Sequence, residues 1–343
     1  MPLLAVNQPI SSWADVKSVT PLAAQRPVYL LVGVDDSHIV IKNEVTTSAH
    51  DPTNLKFANR AMRTVSPAFI SKVCTPFEVD ELKEIVAWEV MLSDMRLKPL
   101  PAEIDHLNRS LQSGGVWFKM EKAEGILGLD SAISKAINQQ DKTGIRQIAA
   151  AFSQKGGLEA LGKIIAADLF NGNTDRFNPF NNDPMTGRTA AAGDLNPRTG
   201  QKLAVLLNVG NVLISVQNNK LRPIGLDAYE ASGEFRMLDQ PVAHLEHNGD
   251  WPGRHLANNP GEAQWRAQFA GLVVADLEAA LGPRNRKVAW GRTQRLPKNA
   301  VSRVINGMDE GIRELRTSFA QYVNKPGKAR PAGLMERLTI LGW

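Results

Sequence analysis

The stretch Asn171-Gly-Asn-Thr-Asp-Arg-Phe177 follows an apolar segment and precedes two short apolar runs. The segment before it, residues 158–170, carries leucine and isoleucine at intervals of three and four residues, which predicts a helix that ends at this stretch. Asp175 lies within the stretch, Asn211 directly precedes one later apolar run, and Asp227 directly follows the next. Such side chains hold metal ions or move protons, so we expect one site built from three separate places in the chain.

Length, charge and cysteine content are those of an ordinary globular protein. The 343 residues suffice for one large two-lobed domain or for two ordinary domains. Lysine and arginine (40) exceed aspartate and glutamate (35) by five, a mild basic excess that suits anionic partners such as nucleotides. Cys74 is the single cysteine, so no disulfide can form within the chain, and a buried small residue is favoured there over a reactive nucleophile.

Hydropathy gives no sign of a membrane-spanning segment. No apolar run approaches the roughly 18 residues that cross a bilayer, and the N-terminus lacks the basic and apolar regions of a signal peptide. We therefore expect a soluble, cytoplasmic protein. The alternative is export from a bacterium into a target cell without a cleaved signal peptide.

The N-terminal third of the chain predicts a β-hairpin. Residues 28–34 and 38–45 are rich in strand-forming residues, and Asp35-Asp36-Ser37 between them has the composition of a turn. Alternation along the second strand places Lys42 on the same face as Val40. A lysine on the inner part of a strand pair is unusual unless an anionic group meets it.

An acidic helix and a short strand are predicted after the hairpin. Residues 77–92 have a broad apolar stripe that also carries Glu81, Glu84 and Glu89. Residues 115–121 form a short β-type run. From about residue 126 the pattern becomes mainly helical. We expect helices over 131–137, 142–152, 158–170, 260–281 and 300–323, and short strands over 203–207, 212–216 and 221–226.

Taken in order, these residues resemble the protein-kinase-like superfamily, and among its atypical members they resemble phosphoinositide 3/4-kinase-like, HipA-like and CotH-like kinases. The resemblance covers roughly residues 15–230. It implies that Lys42 neutralises nucleotide phosphate charge and that Asp175, followed by Arg176, is the catalytic carboxylate, which orients the acceptor hydroxyl or accepts its proton as a base. It also implies that Asn211 and Asp227 bind Mg²⁺, and that Arg176 either binds phosphate or braces the loop.

The resemblance assigns further residues to nucleotide binding. Glu84 would hold Lys42 in place, with Glu81 and Glu89 as alternatives. A hinge over residues 117–125 would hold adenine by backbone contacts, and its central residues are Lys119, Met120 and Glu121. No glycine-rich phosphate loop is present, and residues 18–26 occupy its place, so Arg26 or backbone amides would cover the phosphates.

Two departures from the kinase pattern stand out. Phe177 occupies the position where these kinases usually carry a histidine. The asparagine expected about five residues after Asp175 is absent, because that position is Phe180. We interpret residues 178–208 as an insertion that postpones the metal-binding asparagine to Asn211. The alternatives for this role are Asn178, Asn181 and Asn208.

The resemblance implies an α+β, bilobal kinase-like fold, with a small β-rich N-lobe over residues 1–121 and a larger, mainly helical C-lobe over 122–343. The implied function is ATP- and Mg²⁺-dependent phosphoryl transfer, with a Ser/Thr hydroxyl of a protein as first choice of acceptor. A phosphoinositide or small-molecule kinase, nucleotidyl transfer, and a catalytically silent pseudokinase or binding module are the alternatives. A kinase of this size would suit a bacterial effector involved in virulence.

Two polar regions lie outside this scheme. Residues 284–298 carry six basic side chains around Trp290, and they could meet an anionic surface, although a solvated loop is the more common role and no nucleic-acid partner is expected. His244, His247 and His255 cluster with Glu246, but no fourth zinc ligand is evident.

Overall fold

A computed structural model of the chain describes residues 2–10, 13–22, 27–44, 52–66, 71–122, 127–139, 141–173, 176–177, 207–217, 220–225, 251–281 and 296–343. The fold is mixed α+β, which confirms the predicted class. No helix within these ranges is long and apolar enough to cross a membrane.

The helices and strands are named here in chain order. The helices of the described ranges are α1 (Pro52–Val65), α2 (Pro76–Met95), α3 (Ala102–Gln112), α4 (Leu129–Asn138), α5 (Lys142–Ser153), α6 (Gly157–Asn171), α7 (Pro260–Leu281), α8 (Ala300–Val323) and α9 (Ala332–Leu341). The strands are β1 (Val16–Pro21), β2 (Val28–Gly33), β3 (His38–Glu44), β4 (Ser71–Val73), β5 (Val116–Glu121), β6 (Leu127–Gly128), β7 (Leu213–Gln217) and β8 (Lys220–Ile224).

The chain divides into two compact units. The first comprises Met1–Lys56 and Phe69–Ala123, and the second comprises Phe57–Ala68 and Glu124–Trp343. The sequence predicts a single boundary near residue 121, whereas in the structure the greater part of α1 groups with the second unit.

The first unit is built on a five-stranded antiparallel sheet in the order β1-β2-β3-β5-β4. The predicted hairpin is confirmed, since β2 pairs with β3 and Leu31 lies opposite Ile39. Its turn is closed by the amide of Gly33, which donates to the carbonyl oxygen of Ser37 at 2.6 Å. Because β5 pairs with β3, the predicted lysine strand and hinge strand are neighbours.

One face of this sheet forms a core with α2 and α3. Tyr29, Ile39 and Ile41 from the sheet are buried with Leu82 of α2 and Leu107 of α3. The sequence analysis missed α3, which follows two prolines, although Ile104, Leu107 and Leu111 have helical spacing. Its position is fixed through tertiary contacts, among them the buried Tyr29 hydroxyl, which lies 2.7 Å from His106 Nδ1 and 2.6 Å from Ser110 Oγ.

A buried ion pair lies at the start of α2. Glu78 is the third residue of a capping box: its carboxylate accepts from the backbone amide of Thr75 at 2.7 Å, and the Thr75 side chain accepts from the amide of Glu78. The same carboxylate accepts from the amide of Ile10 at 2.9 Å and pairs with the ammonium of Lys119 on β5. Lys119 also donates to the carbonyl oxygen of Gln8 at 2.5 Å. This pair therefore fastens the N-terminal segment and α2 to the sheet.

The second unit is organised around α6. Twelve of its fifteen residues are buried, as expected of a helix that is apolar on every side. It crosses α8 closely at Gly162 and Gly307. Two sets of ion pairs accompany this crossing: Arg303 with Glu159 at 2.8 Å, and Lys163 with two glutamates of α8 at 2.8 and 2.9 Å.

Candidate functional site

The Asn171–Phe177 stretch begins where α6 ends. Gly172 has a left-handed φ of 68°, a conformation that glycine adopts without strain, and it turns the chain out of the helix. The amide of Asn173 then donates to the carbonyl oxygen of Asp168 at 2.9 Å. The stretch is therefore a structured helix end as far as Asn173.

The carboxylate of Asp168 braces this stretch from inside the protein. It is fully buried, and it accepts hydrogen bonds from the Asn173 side chain at 3.0 Å and from Arg176 Nη1 at 2.5 Å. Arg176 Nε also donates to the carbonyl oxygen of Asn211 at 2.9 Å, and the Arg176 carbonyl accepts from the amide of Asn208 at 3.0 Å. A buried charge requires partners of this kind, so the Asp168–Arg176 pair links Asn173 to the backbone of Asn208 and Asn211.

The two residues that flank the segment 178–206 pair with each other. Phe177 and Leu207 form an antiparallel β-bridge, and both side chains are buried. The Phe177 ring packs edge-to-face on Phe269 of α7, with 6.4 Å between the ring centroids. Phe177 therefore serves the core at the position where the resemblance leads one to expect a histidine.

The β7–β8 hairpin brings the residues at the end of β8 close to the segment that begins at Asn211. Asn211 lies two residues before Leu213, the first residue of β7. Leu213 pairs with Ile224, the last residue of β8, and Gly225 follows directly. The start of β7 and the end of β8 therefore lie side by side, and the chain leaves Gly225 only two residues before Asp227.

Helix α1 contacts both of these segments. The side-chain amide of Asn171 donates to the carbonyl oxygen of Ala58 at 3.2 Å, and the amide of Gly225 donates to Ser66 Oγ at 3.1 Å. A Cβ atom at Gly225 would overlap the side chain of Met62, so a larger residue here would require Met62 to move.

Several predicted site residues fall outside the described ranges: Asp175, Asp227 and Arg26, the alternatives Asn178 and Asn181, and the histidines His244 and His247 with Glu246. The basic segment 284–298 also lies outside them except for residues 296–298. Their predicted roles stay predictions. Within the described ranges, no group of three or more His, Cys, Asp or Glu side chains is placed to hold a metal ion.

Lys42 lies on β3 as predicted. Its side chain is buried, and its ammonium lies 5.6 Å from the centroid of the Phe118 ring. Glu84 and Glu89 are exposed on α2, and Glu81 is half-buried. Among described residues the structure shows no ion pair between Lys42 and any of these three glutamates, and the glutamate of α2 that does pair with a lysine is Glu78.

The hinge residues differ in what their backbones can offer a nucleotide. Lys119 lies opposite Ile41 on one side and Lys72 on the other, and Met120 likewise has a partner residue on both neighbouring strands. Their backbone groups therefore pair within the sheet, whereas Glu121 has a partner on β3 but none on β4. The predicted adenine contacts of Lys119, Met120 and Glu121 stay predictions.

The contacts of Arg176 and His255 indicate the role of each side chain. The guanidinium of Arg176 is buried against Asp168 and Asn211, which supports the bracing role left open above rather than phosphate binding. His255 Nδ1 lies 2.5 Å from a carboxylate oxygen of Glu262, and its ring stacks on Trp265 at 3.7 Å between centroids. Burial lowers the pKa of His255 despite the opposing effect of Glu262. These contacts give His255 a packing role.

The sequence analysis missed two important carboxylates. Asp168 is the single charged residue in the apolar second half of α6, five residues before Asn173, and that isolation was an available signal for a buried functional group. Thr75 and Glu78 have the Thr-x-x-Glu spacing of a capping box, which the sequence also shows. Neither pattern reveals the distant partner of the carboxylate.

Replacing Asp168 by asparagine is expected to lower the free energy of unfolding by about 2–3 kcal/mol, because the buried Arg176 guanidinium loses its charged partner. Urea denaturation followed by circular dichroism measures the change. Asp130→Asn, on an exposed position of α4, is the matched control and should change the stability by less than about 0.5 kcal/mol. Equal effects of the two substitutions would contradict the bracing role.

Comparison with known proteins identifies no family for this chain. It matches no protein-family model, no curated protein and no solved structure. The resemblance to kinases accordingly rests on the sequence alone and stays a prediction.

Proposed function

We propose that the chain is an ATP- and Mg²⁺-dependent kinase with a bilobal kinase-like fold, and that it transfers the γ-phosphate to a hydroxyl group, with a Ser/Thr residue of a protein as first choice of acceptor. The observation that carries the proposal is the convergence of three chain segments in the second unit. Arg176 binds the backbone of Asn211, and Leu213 pairs with Ile224 at the end of the hairpin that leads towards Asp227.

The residues that lie near this convergence in the sequence are of the types that a magnesium-nucleotide site uses. Asp175 directly precedes Arg176 in the sequence, Asn211 is half-buried and accepts a hydrogen bond from Arg176, and Asp227 follows Gly225 by two residues in the sequence. Two carboxylates and an amide are oxygen ligands of the kind that Mg²⁺ prefers. When bound, Mg²⁺ would neutralise the charge of the transferring phosphoryl group. In this proposal Asp175 accepts the proton of the acceptor hydroxyl, and Asn211 and Asp227 hold the metal.

The first unit supports the nucleotide part of the proposal. Lys42 lies on the third strand of an antiparallel sheet, as the phosphate-binding lysine of protein kinases does. The neighbouring strand β5 runs to Glu121, where its pairing with β4 has ended. In this proposal the ammonium of Lys42 neutralises phosphate charge, and adenine is held by backbone groups from Glu121 onwards.

The proposal is tested by measuring Mg²⁺-dependent ATP turnover and autophosphorylation. Asp175→Ala and Lys42→Met are each expected to reduce turnover by about 100-fold or more. The matched controls are Asp130→Ala on α4 and Lys17→Met, an exposed lysine on β1 of the same sheet, and both should retain wild-type turnover. Asn211→Ala compared with Asn208→Ala tests which of these asparagines binds metal.

Two outcomes would reject the kinase assignment. If wild type and Asp175→Ala give the same turnover, Asp175 has no catalytic role. If neither turns over while ATP raises the melting temperature of the wild type, the chain is a nucleotide-binding pseudokinase. Phosphorylation of a lipid or small-molecule alcohol in preference to protein hydroxyls would retain the kinase and change the acceptor.

A further inference from the structure

Helix α2 exposes a second apolar face in addition to the one that it buries. Its buried face places Leu82 and Val86 in the core of the first unit. On the other side, Trp88 is 57% exposed and Met95 is 73% exposed, and Leu97, just beyond the helix, is 94% exposed. Contiguous exposed apolar surface of this kind marks interaction sites in soluble proteins.

The exposed side chains, together with the half-buried Glu81, form two adjacent rows. One row consists of Phe77, Glu84 and Met91, and the other of Glu81, Trp88 and Met95. Residues seven apart lie on nearly the same side of a helix, and the two rows are offset by four residues, so together they make one continuous face. This face extends over about 27 Å of helix axis. We call these six residues the α2 face.

Acidic side chains are part of the α2 face and surround it. Glu81 and Glu84 lie within the rows, and Asp80, Glu89 and Asp94 are exposed elsewhere on the helix. The helix carries six acidic residues and a single lysine, Lys83, although the whole chain has a net charge of +5. The α2 face is therefore an acidic, aromatic- and methionine-rich area on a basic protein.

We propose that the α2 face binds a basic amphipathic helix of another protein. Rows with a seven-residue spacing fit the side chains of a second helix, and Trp88 and Met95 supply the apolar contacts that contribute most to such interfaces. Glu81 and Glu84 require basic side chains beside the apolar ones of the partner. A second copy of α2 or an anionic membrane would bring negative charge against negative charge, which disfavours both.

The test uses a fluorescein-labelled synthetic peptide of about 18 residues, long enough to cover the face, with leucine at helical spacing and lysine elsewhere. Fluorescence anisotropy should show saturable binding to the full chain. A peptide with glutamate in place of every lysine should not bind, although the net charge of the protein would favour it. This comparison separates recognition by the α2 face from attraction to the whole protein.

Substitutions test whether the lysine peptide binds at the α2 face. Trp88→Ser/Met95→Ser should weaken binding of the lysine peptide at least about tenfold. Glu81→Gln/Glu84→Gln keeps the apolar contacts and should weaken binding about threefold or more while reducing its salt dependence. Ile340→Ser, at an exposed apolar position of α9, is the matched control and should bind as wild type does. Circular dichroism and thermal melting verify that each variant is folded.

Three outcomes would overturn the proposal. The first is unchanged peptide binding by both double variants, and the second is equal binding of the glutamate peptide. The third is that the lysine peptide does not bind and that another occupant binds in a way that depends on Trp88. That occupant would be phosphatidylcholine–phosphatidylserine vesicles, detected in a flotation assay, or a second copy of the chain, detected by sedimentation equilibrium.

Discussion

Lys119→Met is expected to lower the free energy of unfolding of the first unit by about 4 kcal/mol, the typical effect of removing one partner from a buried ion pair. The carboxylate of Glu78 would stay buried and charged without the ammonium that it now contacts. The N-terminal segment would also lose the hydrogen bond from Lys119 to the Gln8 carbonyl. Urea denaturation measures the loss.

The matched control is Lys72→Met. Lys72 lies directly opposite Lys119 on β4, but its side chain is exposed. Its replacement should change the stability by less than about 1 kcal/mol. Glu78→Gln combined with Lys119→Met should be more stable than Lys119→Met alone, since glutamine keeps the capping box and removes the unpaired charge. A double variant no more stable than the single one would contradict the electrostatic explanation.

The pH dependence of stability gives an independent check of the same ion pair. Burial by itself would raise the pKa of the Glu78 carboxyl, but hydrogen bonds from Lys119, Thr75 and Ile10 outweigh it, and the pKa lies below its ordinary value of 4.5. The stabilisation is therefore complete above the unfolded-state pKa and is lost as the pH falls through the lower folded-state pKa. Glu78→Gln should lose less stability than wild type over this acidic range.

Gly307→Ala is expected to destabilise the second unit by about 3 kcal/mol, although alanine is the better helix former by about 1 kcal/mol. A Cβ atom at Gly307 would lie far inside van der Waals contact with the carbonyl oxygen of Glu159. The obstacle is backbone rather than a flexible side chain, so α6 and α8 would have to separate. Thermal and urea denaturation measure the effect.

Gly271 of α7 provides the control for this prediction. A Cβ atom there would meet no atom of the described residues within 4 Å, so Gly271→Ala should be neutral or stabilise the protein by up to about 1 kcal/mol. Gly162→Ala, on the opposite side of the same crossing, should resemble Gly307→Ala, because its Cβ would overlap the carbonyl oxygen of Val304. Similar stabilities for Gly307→Ala and Gly271→Ala would show that the α6–α8 crossing can relax.

Local periodicity was sufficient to predict the long elements. The bounds of α7 and α8 in the structure are those expected from the sequence, and the β2–β3 hairpin and α6 differ from prediction by a residue or so. Apolar spacing, turn residues and helix-stopping glycine or proline are local signals, so a single sequence contains them. Helix α3 was missed although it has the same kind of local signal, and its apolar residues pack in the core of the first unit.

The sequence predicts one site from separate places in the chain but not the contacts that join them. It indicates Lys42, the Asn171–Phe177 stretch and Asn211, because each lies within or next to an apolar run. It does not indicate that Arg176 joins the last two, since that contact crosses 35 residues. The structure adds the contact between Arg176 and Asn211, and the roles of Asp175 and Asp227 await the turnover experiment.

Sequence alone determined which segments are helical or extended and that Lys42 is an unusual residue on its strand. Tertiary structure decided which buried charges meet: Glu78 pairs with Lys119, and Asp168 pairs with Arg176. Secondary structure follows from side chains a few positions apart. The partner of a buried charge, in contrast, is whichever opposite charge the folded chain brings within a few ångströms, and that depends on how all the elements pack.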